Sequence, residues 1–128
     1  MCLTTLEANR STKRVGYKVL YRSQDGLRTG MFGTARIGIS DKYTKDPNGT
    51  YIMGVNNKFS YPAGFHICLN KREANIICGH QGGVVCKVRF RKSVAVGVVQ
   101  WNWHTGRTLL SKTVVAKEVK LVGENPQT

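Results

Sequence analysis

The chain has 128 residues, a length that holds one modest hydrophobic core and not two, and its 41% hydrophobic content excludes a disordered tail. It carries 20 Lys and Arg against 7 Asp and Glu, a formal charge of +13. No apolar run reaches the roughly 18 residues that cross a bilayer as a helix, and no basic segment followed by an apolar one opens the chain, so the expectation is a cytoplasmic protein with no membrane partner.

A charge excess of that size on a small domain sets up a long-range positive field that draws in polyanions. Nucleic acid, or a host nucleoprotein complex loaded with it, is the first expected partner. Charge also keeps proteins soluble without any specific partner, so the inference needs a local pattern to stand on. Four cysteines, at positions 2, 68, 78 and 86, are too few for a disulfide framework and read as reduced thiols.

Residues 1–13 are polar and weakly patterned and read as a flexible N-terminal arm. Residues 14–122 form a single β-rich domain in this reading, and residues 123–128 a polar tail. Residues 17–22 read as a strand, Asp25-Gly26 as a turn, and the segment from Leu27 as a returning strand made irregular by Gly30 and Gly33. Residues 35–45 fit either strand or loop. A second turn signal, Asp46-Pro47-Asn48-Gly49, precedes a strand over residues 50–55. Pro62 and Gly64 then interrupt the chain before a strand at residues 64–69.

Residues 70–79 give the one helix. Asn70 stands as N-cap with Glu73 three residues on, Gly79 stands where a left-handed C-terminal cap is expected, and Ala74, Ile77 and Cys78 share a face. Three valine-rich strands follow, over residues 84–92, 93–103 and 109–122, with a turn at residues 104–108. The fold class is α+β, a mainly antiparallel sheet with one short helix packed on it.

The segment GFHICLNKREANIICGHQGGVVC, residues 64–86, concentrates histidine and cysteine. Alternation puts Phe65, Ile67 and Leu69 on one strand face and His66 with Cys68 on the other, while Cys86 joins Val84, Val88 and Phe90 on an apolar face and Cys78 joins the apolar face of the helix. The spacings match no common zinc pattern, and buried cysteine behaves as a small hydrophobe. No metal site, no cofactor and no catalytic residue is assigned, and only the His66 and Cys68 face stays open as chemistry. The glycine-rich GHQGG run lies between helix and strand, the reverse of a phosphate-cradling loop, and reads as a cap and a turn.

Lys87, Arg89 and Arg91 recur at every second position of CKVRFRK, so they project from one sheet face about 6.8 Å apart. A solvated face of a half-buried strand has the same alternation. The sign of the charge favours function: from Val84 to Val122 there are eight basic residues and one acid, Glu118. Lys92 extends the row. Trp101 and Trp103 share a face beside His104 and Arg107 and offer either a stacking platform or two partly buried core residues, the second being the commoner fate. The seven acids are scattered, so converging carboxylates are not expected, and acid–base chemistry by His66 and His104 is the alternative enzyme reading. A structural virion or scaffold component is a third.

The pattern AGFHICLNKREAN, then VVCKVRFRKSVAVGVV, then VVAKEVKLV resembles the layout of small phage-encoded proteins of uncharacterised function. The resemblance covers the C-terminal half and transfers no residue roles. It implies a viral setting, in which such proteins act by binding host machinery, including CRISPR effectors. The expected function is therefore a non-enzymatic basic binding protein, phage-encoded, acting on nucleic acid or a nucleic-acid-loaded host complex as an anti-defence, anti-CRISPR-type inhibitor, through Lys87, Arg89, Arg91, Lys92, Trp101, Trp103 and Arg107.

Overall fold

The computed structural model describes residues 3–7, 13–23, 26–29, 36–37, 43–45, 51–53, 59–103 and 105–122. Ten strands and one helix follow in the order β1 (Thr5–Leu6), β2 (Val15–Ser23), β3 (Gly26–Thr29), β4 (Arg36–Ile37), β5 (Thr44–Lys45), β6 (Tyr51–Met53), β7 (Ser60–Pro62), β8 (Phe65–Cys68), α1 (Lys71–Gln81), β9 (Val84–Asn102) and β10 (Thr108–Leu121). Every registered strand pair is antiparallel, and α1 packs on the sheet, so the architecture is the expected β-rich α+β fold.

The sheet closes on itself. β9 pairs with β10 along most of its length, β10 with β8, β8 with β2 through Tyr17 and Cys68, and β2 back with β9 from Val15 opposite Arg89 to Leu20 opposite Val84. The interior of this small barrel holds Leu20, Phe65, Ile67, Val84, Cys86, Val88, Phe90, Val96, Val114, Ala116, Val119 and Leu121. Burying each large member of that set contributes roughly 1.5–3 kcal/mol. Alternation places the first of them there: Val84, Cys86, Val88 and Phe90 of β9 point inward, while Lys87, Arg89 and Arg91 between and after them are exposed.

Two smaller clusters cover parts of the outer surface. Cys68, Ala74 and Val85, with Tyr17, Val19 and Cys78 beside them, seat α1. Leu3, Tyr61, Ala95, Val99 and Val115, flanked by Phe59, Val94 and Trp101, seat the β6–β7 hairpin and the N-terminal segment.

Three expectations change. Residues 3–7 do not behave as an arm: Leu3 is fully buried and β1 pairs with β9 opposite Val98 and Gly97. Main-chain pairing needs no side-chain periodicity, so the sequence carried no sign of it. The helix runs past Gly79 to Gln81, and its cap is Gly82, whose φ of 80° and N–H to the Cys78 carbonyl close the last turn. Asn70 caps the start as expected, accepting from the Glu73 N–H at 3.1 Å.

The two strands expected over residues 84–92 and 93–103 are one strand, β9, bent rather than broken. Lys92 takes a left-handed φ of 58°, and the register with β10 slips between Val115 and Ala116, the mark of a bulge. The face of His66 and Cys68, which the sequence leaves undecided as chemistry, is buried. Their strand is covered on both faces, the interior on one side and α1 with Tyr61 on the other. The Gln24-Asp25 pair and the turn over residues 46–49 lie outside the described residues, although β2 and β3 pair as the first turn requires, with Ser23 opposite Gly26. The tail from residue 123 lies outside them as well.

Candidate functional site

The odd positions Lys87, Arg89 and Arg91 of β9 lie on the outside of the barrel between the two clusters that cover it, and all three are exposed. Neighbouring strands widen the row. β2 brings Val15 opposite Arg89 and Tyr17 opposite Lys87, and β10 brings Lys120 opposite Arg89 and Glu118 opposite Arg91. Beyond β10, β5 sets Lys45 opposite Glu118. Arg14, whose carbonyl accepts from the Phe90 N–H at 2.9 Å, is exposed at the same end.

Glu118 is the one acid in this surface among the described residues, and its side chain is 2% exposed. It is bound by the Arg91 Nε and, at 3.2 Å, by the Lys92 ammonium. The Arg91 hydrogen bond, with help from Lys92, holds its carboxyl below the ordinary carboxylate range against the opposing effect of burial. The left-handed backbone at Lys92 is what turns that side chain toward the same carboxylate as Arg91. Among the described residues no acid pairs with Lys87 or Arg89, so the negative charge is spent on the far end of the row.

Tyr43, just before β5, is the residue of this surface that sequence reasoning missed. The Arg91 guanidinium carbon lies 4.0 Å from its ring centre, and the Lys120 ammonium 5.1 Å from it. Nothing in the residues around position 43 signals this, because the contact is made across β10 and not along the chain.

Trp101, Trp103 and Arg107 form a second cluster at the other end of β9. The two indoles stack at 6.2 Å and 12°, and His80 from the last turn of α1 stacks on Trp103 at 3.9 Å and 10°. Both tryptophans are half-buried, Trp101 against the cluster around Tyr61, so they are partial core as well as platform. Arg107 is exposed at the hairpin turn, where its carbonyl accepts from the Trp103 N–H. The seven residues expected to act together therefore divide into Lys87, Arg89, Arg91 and Lys92 at one end and Trp101, Trp103 and Arg107 at the other. Nine residues of strand lie between Arg91 and Trp101, a span of roughly 33 Å of extended chain.

His66 and Cys68 are held in buried contacts. His66 Nε2 lies 2.8 Å from the Tyr61 hydroxyl, which accepts from the buried Leu3 N–H at 2.9 Å. Burial above all, then the Lys18 ammonium nearby, pushes the His66 ring down to about 3, although a hydrogen bond with the Gly64 backbone pulls the other way. The Lys18 ammonium itself donates to the His66 carbonyl at 2.9 Å. Cys68 sits 3.1 Å from the Ser111 hydroxyl, and burial pushes its thiol up. Among the described residues no three His, Cys, Asp or Glu side chains converge on a metal-sized site. His104 lies outside the described residues.

Comparison with protein families, with curated proteins and with solved structures returns no match. No helix among the described residues is long and apolar enough to cross a membrane.

Proposed function

We propose that this chain is a non-enzymatic basic binding protein that engages the phosphate backbone of nucleic acid, free or held in a host nucleoprotein complex. The observation that carries this is the uncovered cationic row of β9, in which Lys87 and Arg89 meet no acid among the described residues while Lys120, Lys45 and Arg14 add charge of the same sign around them. Each cation that neutralises a phosphate releases counterions, which gives affinity without sequence preference and with strong salt dependence. An acidic partner is what such a surface recruits, and nucleic acid supplies the densest one. The burial of His66 and its low affinity for a proton favour binding over acid–base chemistry at that residue. The specific form we favour, a phage-encoded anti-defence inhibitor of a CRISPR-type complex, is supported by the resemblance of the C-terminal half described above.

The test is binding of labelled DNA and RNA across a salt series. Affinity should fall steeply with salt, and the Lys87→Ala, Arg89→Ala double variant should flatten the log–log slope by about 1.4–1.8, at roughly 0.7–0.9 for each phosphate no longer neutralised. Absent or salt-insensitive binding overturns direct contact with nucleic acid. Capture from a host lysate that disappears after nuclease treatment supports the nucleoprotein form.

A further inference from the structure

Arg91 is placed differently from its neighbours in the row. Its Nε edge is taken by the buried Glu118 carboxylate, and its guanidinium carbon rests 4.0 Å over Tyr43, while half of the side chain remains open to solvent. A guanidinium grips a phosphate bidentately through its N–H edges, and an edge already held by a carboxylate is poorly available for that. What this leaves to a ligand is the face turned away from Tyr43, with the terminal N–H groups that Glu118 does not hold. That face is cationic, held by two partners, and flanked by further positive charge at Arg89 and Lys120.

We infer that the Arg91 and Tyr43 pair is a stacking plate for one unpaired nucleobase, and that the ligand of this surface is single-stranded nucleic acid. The inference rests on the function proposed above and narrows it. Bases stack on guanidinium and aromatic planes, but only bases whose faces are free can do so; in a duplex each face is already covered by the next pair. The division of labour follows from position along β9. Arg89 and Lys87 meet the phosphates, Arg91 meets the base, and Glu118 acts as the positioning residue that holds the guanidinium over Tyr43. The Trp101, Trp103 and His80 stack is too far along the strand to share the same nucleotide.

The experiment uses the unaltered protein and three probes of equal length at one salt concentration: a thymidine oligonucleotide, an abasic strand with the same phosphates and no bases, and a duplex. The intact single strand should bind roughly ten-fold tighter than the abasic strand and tighter than the duplex, as loss of one stacked base implies. Arg91→Lys keeps the charge and removes the plane, and Tyr43→Leu removes the support and leaves the Arg91 and Glu118 pair in place. Each should bring the intact strand down toward the abasic value with the salt slope unchanged. Equal affinities for all three probes, with a steep salt slope, overturn the stacking plate and leave the phosphate row standing. Failure of every probe to bind overturns both.

Discussion

The His80 imidazole lies flat on Trp103, ring centres 3.9 Å apart and planes within 10°, and so ties the last turn of α1 to the turn between β9 and β10. No other described ring contact joins the helix to that hairpin. Loss of the pair in His80→Ala is expected to lower stability by about 0.5–1.5 kcal/mol, the range for aromatic pairs. Urea unfolding measures the loss, and tryptophan emission should shift to the red as the exposed face of Trp103 gains water. An unchanged midpoint together with an unchanged spectrum would show that the contact is incidental.

Acid should weaken the fold through His66. In the unfolded chain this ring takes up a proton near its ordinary value of 6.5, and in the folded chain only near 3. Between those values the unfolded state binds more protons, so stability is complete above about pH 6.5 and falls as the pH drops toward 3, by at most about 1.4 kcal/mol per pH unit. His66→Gln, which retains a partner for the Tyr61 hydroxyl, should flatten that limb. Below its ordinary value of 4.5 Glu118 adds a loss of its own, because its folded carboxyl is held down by Arg91 and Lys92. Superimposable acid limbs for the parent and His66→Gln would refute the assignment to His66.

Two glycines should respond to alanine with opposite signs. A methyl group on Gly16 would stand 2.5 Å from the Ile67 side chain and 2.9 Å from the Cys68 carbonyl oxygen, at the seam where β2 meets β8, so Gly16→Ala should cost about 1–3 kcal/mol by overpacking. A methyl group on Gly79 meets nothing within 4 Å and lies inside α1, so Gly79→Ala should stabilise by about 0.5–1 kcal/mol. Denaturant midpoints of the two variants read both signs directly.

Thiol labelling should follow burial. Among the three described cysteines, Cys78 is half-buried beside Gly83, whereas Cys68 and Cys86 are buried. Cys78 should be modified first in native buffer, and Cys68 and Cys86 only at the rate of global opening. Rapid native labelling of Cys68 would contradict the place assigned to it under α1.

What the sequence disclosed was what runs along a single element. The exposed triplet Lys87, Arg89 and Arg91 follows from alternation alone, as does the burial of Cys86, and Asn70 with Glu73 marked the helix start to the residue. The helix end was misplaced because either glycine, Gly79 or Gly82, supplies a stop signal, and only tertiary placement shows which one turns left-handed. Contacts between elements distant in sequence left no local trace: Tyr43 reaches Arg91 through two strand pairings, and residues 3–7 join the sheet through main-chain hydrogen bonds that any residue can make. The place of His66 and Cys68 stayed undecided for a related reason. A strand buried on both faces has no solvent side, and alternation distinguishes two faces without saying that either is wet.

The ring of strands has a consequence for how the chain comes to be folded. Its seam joins β2 to β9, partners about seventy positions apart, and β10, which follows all the other described strands, is the element that β8 and β9 both require. A chain emerging in order therefore has no closed interior until its final strand is in place, and until then the apolar sides of β2, β8 and β9 face water. Topologies dominated by such distant pairings fold in milliseconds to seconds rather than microseconds. Acquisition of structure should accordingly be a late, all-or-none event, and removing β10 should leave an aggregating chain rather than a smaller domain.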